Sequence, residues 1–334
     1  MIRADYSQKR NLFDKEKDMT ANWLIFQSEV TAPHDGIKRL PDPPPWREMK
    51  GIPVDLPLEA EPDPHYIVDQ ETAQLVNAAI YLRRPLLVTG KPGTGKSSLA
   101  RAIAYQLQLG KVLIWSITSR SNLKDGLYTY DAIGRLQDAN MPGDETPQLG
   151  KYFRLGPLGT ALLPSKNPRV LLIDELDKSD IDLPNDLLHV FEEGWFEIPE
   201  LVRVAKPHPD VDVRIYGSES EIKIWGGRIE CRAFPIVIMT SNGEREFPAP
   251  FLRRCIRLDL KEPDKETLAR IVRSHFDLHE LNQAQLDLLE RFMEKRKQKS
   301  LATDQLLNAI FMVKNEIHDP EIQDNLLRAL STND

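Results

Sequence analysis

One octapeptide narrows the folds open to this chain more than any other feature. Gly90-Lys91-Pro92-Gly93-Thr94-Gly95-Lys96-Ser97 follows a short apolar run, Pro85-Leu86-Leu87-Val88, and precedes Ser98-Leu99-Ala100-Arg101-Ala102-Ile103, which has the composition of a helix. Strand, glycine loop and helix in that order match G-x-x-x-x-G-K-[ST] in the context the pattern requires. The glycines let successive backbone N–H groups curl around phosphate oxygens, and the following helix N-terminus adds a favourable field. The expectation is a nucleotide cradle made of Gly90, Lys91, Pro92, Gly93, Thr94, Gly95, Lys96, Ser97 and Ser98. In it Lys96 reaches the β- and γ-phosphates and the Ser97 hydroxyl ligates Mg²⁺.

The rest of the chain supplies partners for that first strand. Val112-Leu113-Ile114-Trp115, Val170-Leu171-Leu172-Ile173 and Pro235-Ile236-Val237-Ile238-Met239 are continuous rather than alternating apolar runs, as expected of strands buried on both faces. Separated by helices, they predict a doubly covered parallel α/β sheet. Val76, Ala79, Ile80 and Arg83 fall at helical spacing ahead of the loop. After Pro263 the pattern is helical to the end, with stripes at Leu268, Ile271, Val272 and His275 and at Leu306, Ile310, Val313 and Ile317.

The predicted organisation has three parts. Residues 1–60 form a polar arm, residues 61–260 an α/β nucleotide-binding domain interrupted near 122–164 and 195–233, and residues 261–334 a small helical lid. Eight prolines between Pro41 and Pro64 forbid regular helix and point to an extended arm or linker, either solvated or laying Trp46 on a neighbouring surface. In the second insertion, Val213-Arg214-Ile215-Tyr216 and Ile222-Lys223-Ile224-Trp225 alternate as a β-hairpin would.

The chemistry lies at strand ends. Val170–Ile173 deliver Asp174 and Glu175 to the edge where a nucleotide would lie; Asp174 is expected to hold Mg²⁺ through water and Glu175 to polarise the attacking water. A third strand ends in Met239-Thr240-Ser241-Asn242, where the neutral amide of Asn242 orients that water without competing for the metal. Phe251-Leu252-Arg253-Arg254 follows. An arginine beyond the Asn strand lies too far round the domain to reach its own γ-phosphate, so either Arg253 and Arg254 are simply a basic helix end or one of them serves a neighbouring subunit's site. Such a heterologous contact can close a ring.

Composition removes other classes. The 44 Lys and Arg against 51 Asp and Glu give a net charge of −7, which argues against a duplex-binding surface. The 2 cysteines, Cys231 and Cys255, have no metal or CxxC spacing, and no histidine has ligand spacing, so no transition metal is assigned. With no run of apolar residues long enough to span a bilayer and no signal-like N-terminus, the expectation is a soluble cytoplasmic protein without a membrane partner.

Taken together, Gly90–Ser97, Leu172–Glu175, Thr240-Ser241-Asn242 and Phe251–Cys255 resemble AAA+ ATPases, and within them the MoxR type, over residues 60–330. The resemblance implies ATP and Mg²⁺ as cofactors and a hexameric ring that remodels or activates a protein partner, commonly one with a von Willebrand factor A domain. It also implies that both insertions face the ring pore, the alternative being surface elaborations with no substrate role, and that Arg254 is the trans-acting arginine, with Arg253 a helper or an interface ion-pair donor. One departure stands out: where the family presents an arginine near the start of a lid helix, this chain reads Ser300-Leu301-Ala302-Thr303-Asp304-Gln305. The basic run Arg291, Lys295, Arg296, Lys297 and Lys299 just before it is either a substitute or a solvated helix face. Rival readings are a nucleic-acid motor on the same fold and an ATP-dependent assembly switch with little turnover. A small-molecule kinase fits less well, because Glu175, Asn242 and the arginines suit water attack.

Overall fold

The computed structural model describes residues 23–28, 32–56, 58–139, 148–298, 301–317 and 319–328. Helix α1 (Gln70–Leu82) begins where the Asp69 carboxylate accepts the Thr72 N–H at 2.7 Å, satisfying one of the donors a helix start leaves open. Then come β1 (Leu86–Thr89), the glycine loop, α2 (Lys96–Gln106) and β2 (Leu113–Ser116). The first insertion contributes α3 (Leu123–Leu127), β3 (Tyr128–Tyr130), α4 (Ala132–Ala139), β4 (Phe153–Leu155) and α5 (Pro157–Ala161) ahead of β5 (Val170–Asp174). Helix α6 (Leu183–Glu193), β6 (Trp195–Glu197), α7 (Pro199–Val204), β7 (Asp210–Arg214), β8 (Glu221–Trp225) and β9 (Arg228–Glu230) lead to β10 (Ile236–Ser241), α8 (Ala249–Leu252) and β11 (Ile256–Asp259). After β11 the described residues hold four helices: α9 (Lys265–Phe276), α10 (Gln283–Gln298), α11 (Thr303–Lys314) and α12 (Pro320–Leu326).

The central sheet has five strands in the order β11-β1-β10-β5-β2, and every pairing is parallel. All six residues of β10 are buried, as a central strand covered on both faces must be. The register aligns Thr89 with Ser241 and Ser116 with Asp174. The ends of β1, β10 and β5 therefore lie along one edge, which places the glycine loop beside the acidic pair. Strand β11 was not anticipated. It is a four-residue edge strand with alternating burial, and Ile256-Arg257-Leu258-Asp259 is too short and too polar to stand out as a continuous run.

The two insertions join. Strands β7 and β8 form the expected antiparallel hairpin, with Val211 opposite Ile224 and Val213 opposite Ile222. Strand β4 from the first insertion pairs with β7, giving a second sheet in the order β3-β4-β7-β8. Linear sequence separates these pieces by some sixty residues and carries no sign of the pairing.

The proline-rich arm is anchored, but not through Trp46, which is 74% exposed. Its neighbour Arg47 is buried, donates from Nη1 to the Phe191 carbonyl at 2.6 Å and lies 5.5 Å from the Phe234 ring centroid. Two short 3-10 turns, Gly36–Arg39 and Pro45–Arg47, interrupt the extended path. Further back, Ile25 and Phe26 are fully buried, and the Asn77 side chain pairs with their backbone. Residues 1–22 of the arm lie outside the described residues.

Residues of α9 to α11, among them Leu268, Val272, Phe292, Leu306 and Ile310, form an apolar cluster of their own. Ile317, expected on that stripe, lies past the end of α11 and is 41% exposed. The basic run is spent on local pairing: Arg291 and Lys295 bind Asp324, and Arg296 donates to the Pro263 carbonyl. Lys299 is outside the described residues. No helix among those described is long and apolar enough to cross a membrane.

Candidate nucleotide site

A cleft of about 630 Å³ opens between the carboxyl edge of the central sheet and the C-terminal helices. Pro92 to Ser98, Asp174, Glu175, Thr240 and Asn242 line one end. Gly90 and Lys91 lie behind it and contribute carbonyls: the Lys96 ammonium donates to both at 2.7 and 2.9 Å, and to Asn242 Oδ1 at 2.8 Å. Burial holds the Lys96 amine below its usual range, and the charges of Asp177, Asp174 and Glu175 draw it part of the way back. Gly93 and Gly95 have φ of 75° and 89°, which a side chain would resist. A Cβ on Gly95 would sit 2.9 Å from the Tyr66 ring.

One hydroxyl organises the acidic strand end. Thr240 Oγ1, buried at the end of β10, donates to Asp174 Oδ1 at 2.6 Å and accepts the Glu175 N–H at 2.8 Å. Ser97 Oγ donates to the same Asp174 oxygen at 2.8 Å. Serine hydroxyl and carboxylate oxygens side by side are the hard donor set Mg²⁺ takes, with water completing its shell. The residues present therefore fit the ion. Among the described residues there is no His, Cys, Asp and Glu cluster of the kind that holds a metal by protein ligands alone.

Glu175 has φ 60° and ψ 48°, a left-handed conformation that costs a non-glycine residue about 1–2 kcal/mol. The bond from its N–H to Thr240 offsets part of that, and the turn throws its side chain into the cleft. There the carboxylate meets Lys178 Nζ at 2.7 Å, both side chains being more than two-fifths exposed.

Arg253 and Arg254 do not line the cleft. They follow α8 and precede β11, and Ile256 lies opposite Leu86, the first residue of β1. The arginines are thus at the amino edge of the sheet and the glycine loop at its carboxyl edge, about 13 Å apart in strand rise alone. Arg254 Nε donates to Glu192 at the end of α6, and its Nη1 to the Pro250 carbonyl at 3.1 Å. Arg84 Nη1 holds the Arg253 carbonyl at 3.3 Å.

Several lining residues were not assigned to the site from the sequence. His65, Tyr66, Ile67 and Val68 precede α1, and Arg270, Ile271 and His275 lie along α9; together they make the other end of the cleft. The rings of His65 and His275 are 5.5 Å apart across it. Helical spacing marked Ile271 and His275 as a stripe, but nothing in the sequence pairs His275 with His65. Where an arginine was missing, Thr303, Asp304 and Leu307 line the wall, and none of Arg291, Lys295, Arg296 and Lys297 does. Helix α11 instead meets the glycine loop through backbone: the Thr303 N–H donates to the Gly93 carbonyl at 3.3 Å.

Sheet order, glycine loop and acidic strand end define a phosphate-loop nucleotide fold of the AAA+ class. The family described as AAA domain (dynein-related subfamily) matches residues 85–255, just over half of the sequence, and the chain belongs to that family. It is 28% identical over 173 residues to the aerobic cobaltochelatase subunit CobS of a Sinorhizobium species, an alignment that takes in 49% of this chain and 48% of the relative. The chain thus spans about half the length of that curated relative. Among solved structures it is similar to NtrX from Brucella abortus in complex with ADP, at 15% identity and a TM-score of 0.38, covering 81% of this chain and 58% of that one.

Proposed function

We propose that the chain is a Mg-ATP hydrolase of the MoxR type that works as a ring-shaped homo-oligomer, a hexamer by family resemblance, on a protein partner in the cytoplasm. What carries the reading is the meeting of Lys96, Ser97, Asp174, Glu175 and Asn242 at one end of the cleft, with Arg254 at the far edge of the same sheet. The apolar and imidazole end, Tyr66, Ile67, Val68, Ile271 and His275, takes the base. Gly93 to Ser98 take the phosphates on backbone N–H groups.

Ser97 and Asp174 would hold Mg²⁺, which when bound neutralises charge between the β- and γ-phosphates. Lys96 exchanges its carbonyl partners for phosphate oxygens, gaining charge-assisted bonds. Glu175 turns from Lys178 to accept the proton of the attacking water, and Asn242 orients that water. Arg254 leaves Glu192 to stabilise transition-state charge in the adjacent subunit, a role that its place at the amino edge, away from its own cleft, supports.

The relative is named as a subunit of a chelatase, which supports action within a larger assembly over a free-standing enzyme. A von Willebrand factor A domain protein is the partner the MoxR resemblance suggests. Residues 61–260 act as the nucleotide domain, 261–334 as the lid, and the insertions near 122–164 and 195–233 as partner-facing elements. Binding and turnover of ATP by wild type, Lys96→Ala and Glu175→Gln test the site. Lys96→Ala should lose binding, while Glu175→Gln should bind and scarcely turn over; wild-type binding by the first or wild-type turnover by the second contradicts the assignment.

A further inference from the structure

Asp177 does not line the cleft, yet it is a buried carboxylate, 5% exposed, in the single turn Leu176–Lys178 that follows Glu175. Its Oδ2 accepts the backbone N–H of Asn242 at 2.9 Å and of Glu244 at 3.1 Å, while its Oδ1 is buried without a hydrogen-bond partner. A carboxylate buried with one oxygen unserved is costly, and a neutral turn residue would avoid that cost. Its two bonds reach the loop that carries Asn242, where Gly243 turns the chain at φ 78°. Arg245 adds a second tie from that loop, to Ser179 Oγ and the Asp180 carbonyl at 3.4 and 3.1 Å. The exit of the acidic strand and the exit of the Asn strand are thus bolted together behind the cleft.

We propose that Asp177 is a positioning residue that clamps the loop after β10 and so presents the Asn242 amide to Lys96 and to the reacting phosphate. The proposal rests on the ATPase reading for its kinetic consequence, but not for the clamp itself. Thr240 already fixes Asp174 and Glu175 from the strand, so the hydrogen bonds of Asp177 act on the Asn242 loop, while its charge also reaches Lys96. Loss of Asp177 should therefore impair turnover more than nucleotide capture, which Lys96 and the Gly93 to Ser98 backbone provide.

The experiment uses the full chain with Asp177→Ala, Asp177→Asn, Asn242→Ala and the double variant Asp177→Ala/Asn242→Ala. Amide exchange at Asn242 and Glu244, measured without nucleotide, reads the clamp directly. In Asp177→Ala it should rise about tenfold or more, because both donors lose their acceptor. For turnover, kcat should fall by about ten- to a hundredfold, the scale of a misplaced catalytic group, while affinity for a fluorescent ATP analogue stays within about threefold. Asp177→Asn, which keeps an acceptor oxygen, should lie between, and it carries the test alone if the alanine variant does not fold. The double variant should be no slower than Asn242→Ala, since residues acting through one another do not add. Unchanged exchange in either Asp177 variant, or a double variant slowed by the product of the single effects, overturns the proposal. Wild-type turnover in Asn242→Ala would instead refute the role given to Asn242, and the exchange result would still decide the clamp.

Discussion

Gly93→Ala tests how the C-terminal helices are coupled to the phosphate loop in a chain that lacks the usual arginine. Gly93 has φ 75°, and a Cβ there would lie 2.1 Å from Ala302 Cβ and 2.5 Å from Ala302 Cα. The left-handed backbone alone costs alanine about 1–2 kcal/mol. If the neighbours stay put, overpacking adds about 1–3 kcal/mol. Moving residues 301–303 away by about 1.5 Å restores ordinary carbon contact and gives up the 3.3 Å bond from the Thr303 N–H to Gly93, at about 0.5–1.5 kcal/mol, together with some of the packing of buried Leu301. Displacement is the cheaper response. The total of about 2 kcal/mol is worth roughly thirtyfold in nucleotide affinity. Titration with a fluorescent ATP analogue, together with amide exchange over residues 301–306, reads both effects. Adding Ala302→Gly should recover affinity only in part, because the Ala302 Cα and the φ of residue 93 remain. Gly93→Ala with wild-type affinity and unchanged protection would show that this contact does not couple loop and helices.

Two further outcomes follow from burial. Asn77, fully buried, accepts the N–H groups of Ile25 and Phe26 at 2.6 and 3.0 Å and donates to the Phe26 carbonyl at 2.6 Å. Asn77→Ala orphans all three backbone groups at about 1–3 kcal/mol each if they stay buried, so the arm should detach. Limited proteolysis should then cut ahead of residue 40 while the α/β core survives, and an uncut arm would contradict the anchoring. Burial pushes the thiols of Cys231 and Cys255 up to about 12. Both should resist alkylation at pH 8 until the chain unfolds. Because the unfolded thiols ionise first, stability should decline as pH rises above about 9; a flat profile there would show the burial to be overstated.

The candidate nucleotide cradle was legible because its geometry demands particular residue types at four of eight consecutive positions, and the acidic pair because a continuous apolar run leads straight into it. What escaped sequence reasoning depends on partners with no side-chain signature. Asp177 serves backbone N–H groups 65 and 67 residues away, and any residue supplies such a group. Strand β11 is an edge strand whose alternation resembles many loops. The arm was read as prolines and a tryptophan, whereas Asn77, Arg47, Ile25 and Phe26 hold it in place.

The proposed completion of each site by an arginine from its neighbour is tested most directly by mixed assembly. Arg254→Ala and Lys96→Ala subunits should each be nearly inactive alone, the first losing about 10³-fold or more in rate while retaining ATP binding. Mixed, they create interfaces that join an intact phosphate loop to an intact Arg254. Recovery of turnover on mixing, with co-assembly shown independently, is the predicted result. Co-assembled but inactive mixtures, or a fully active dilute monomer, would contradict the account.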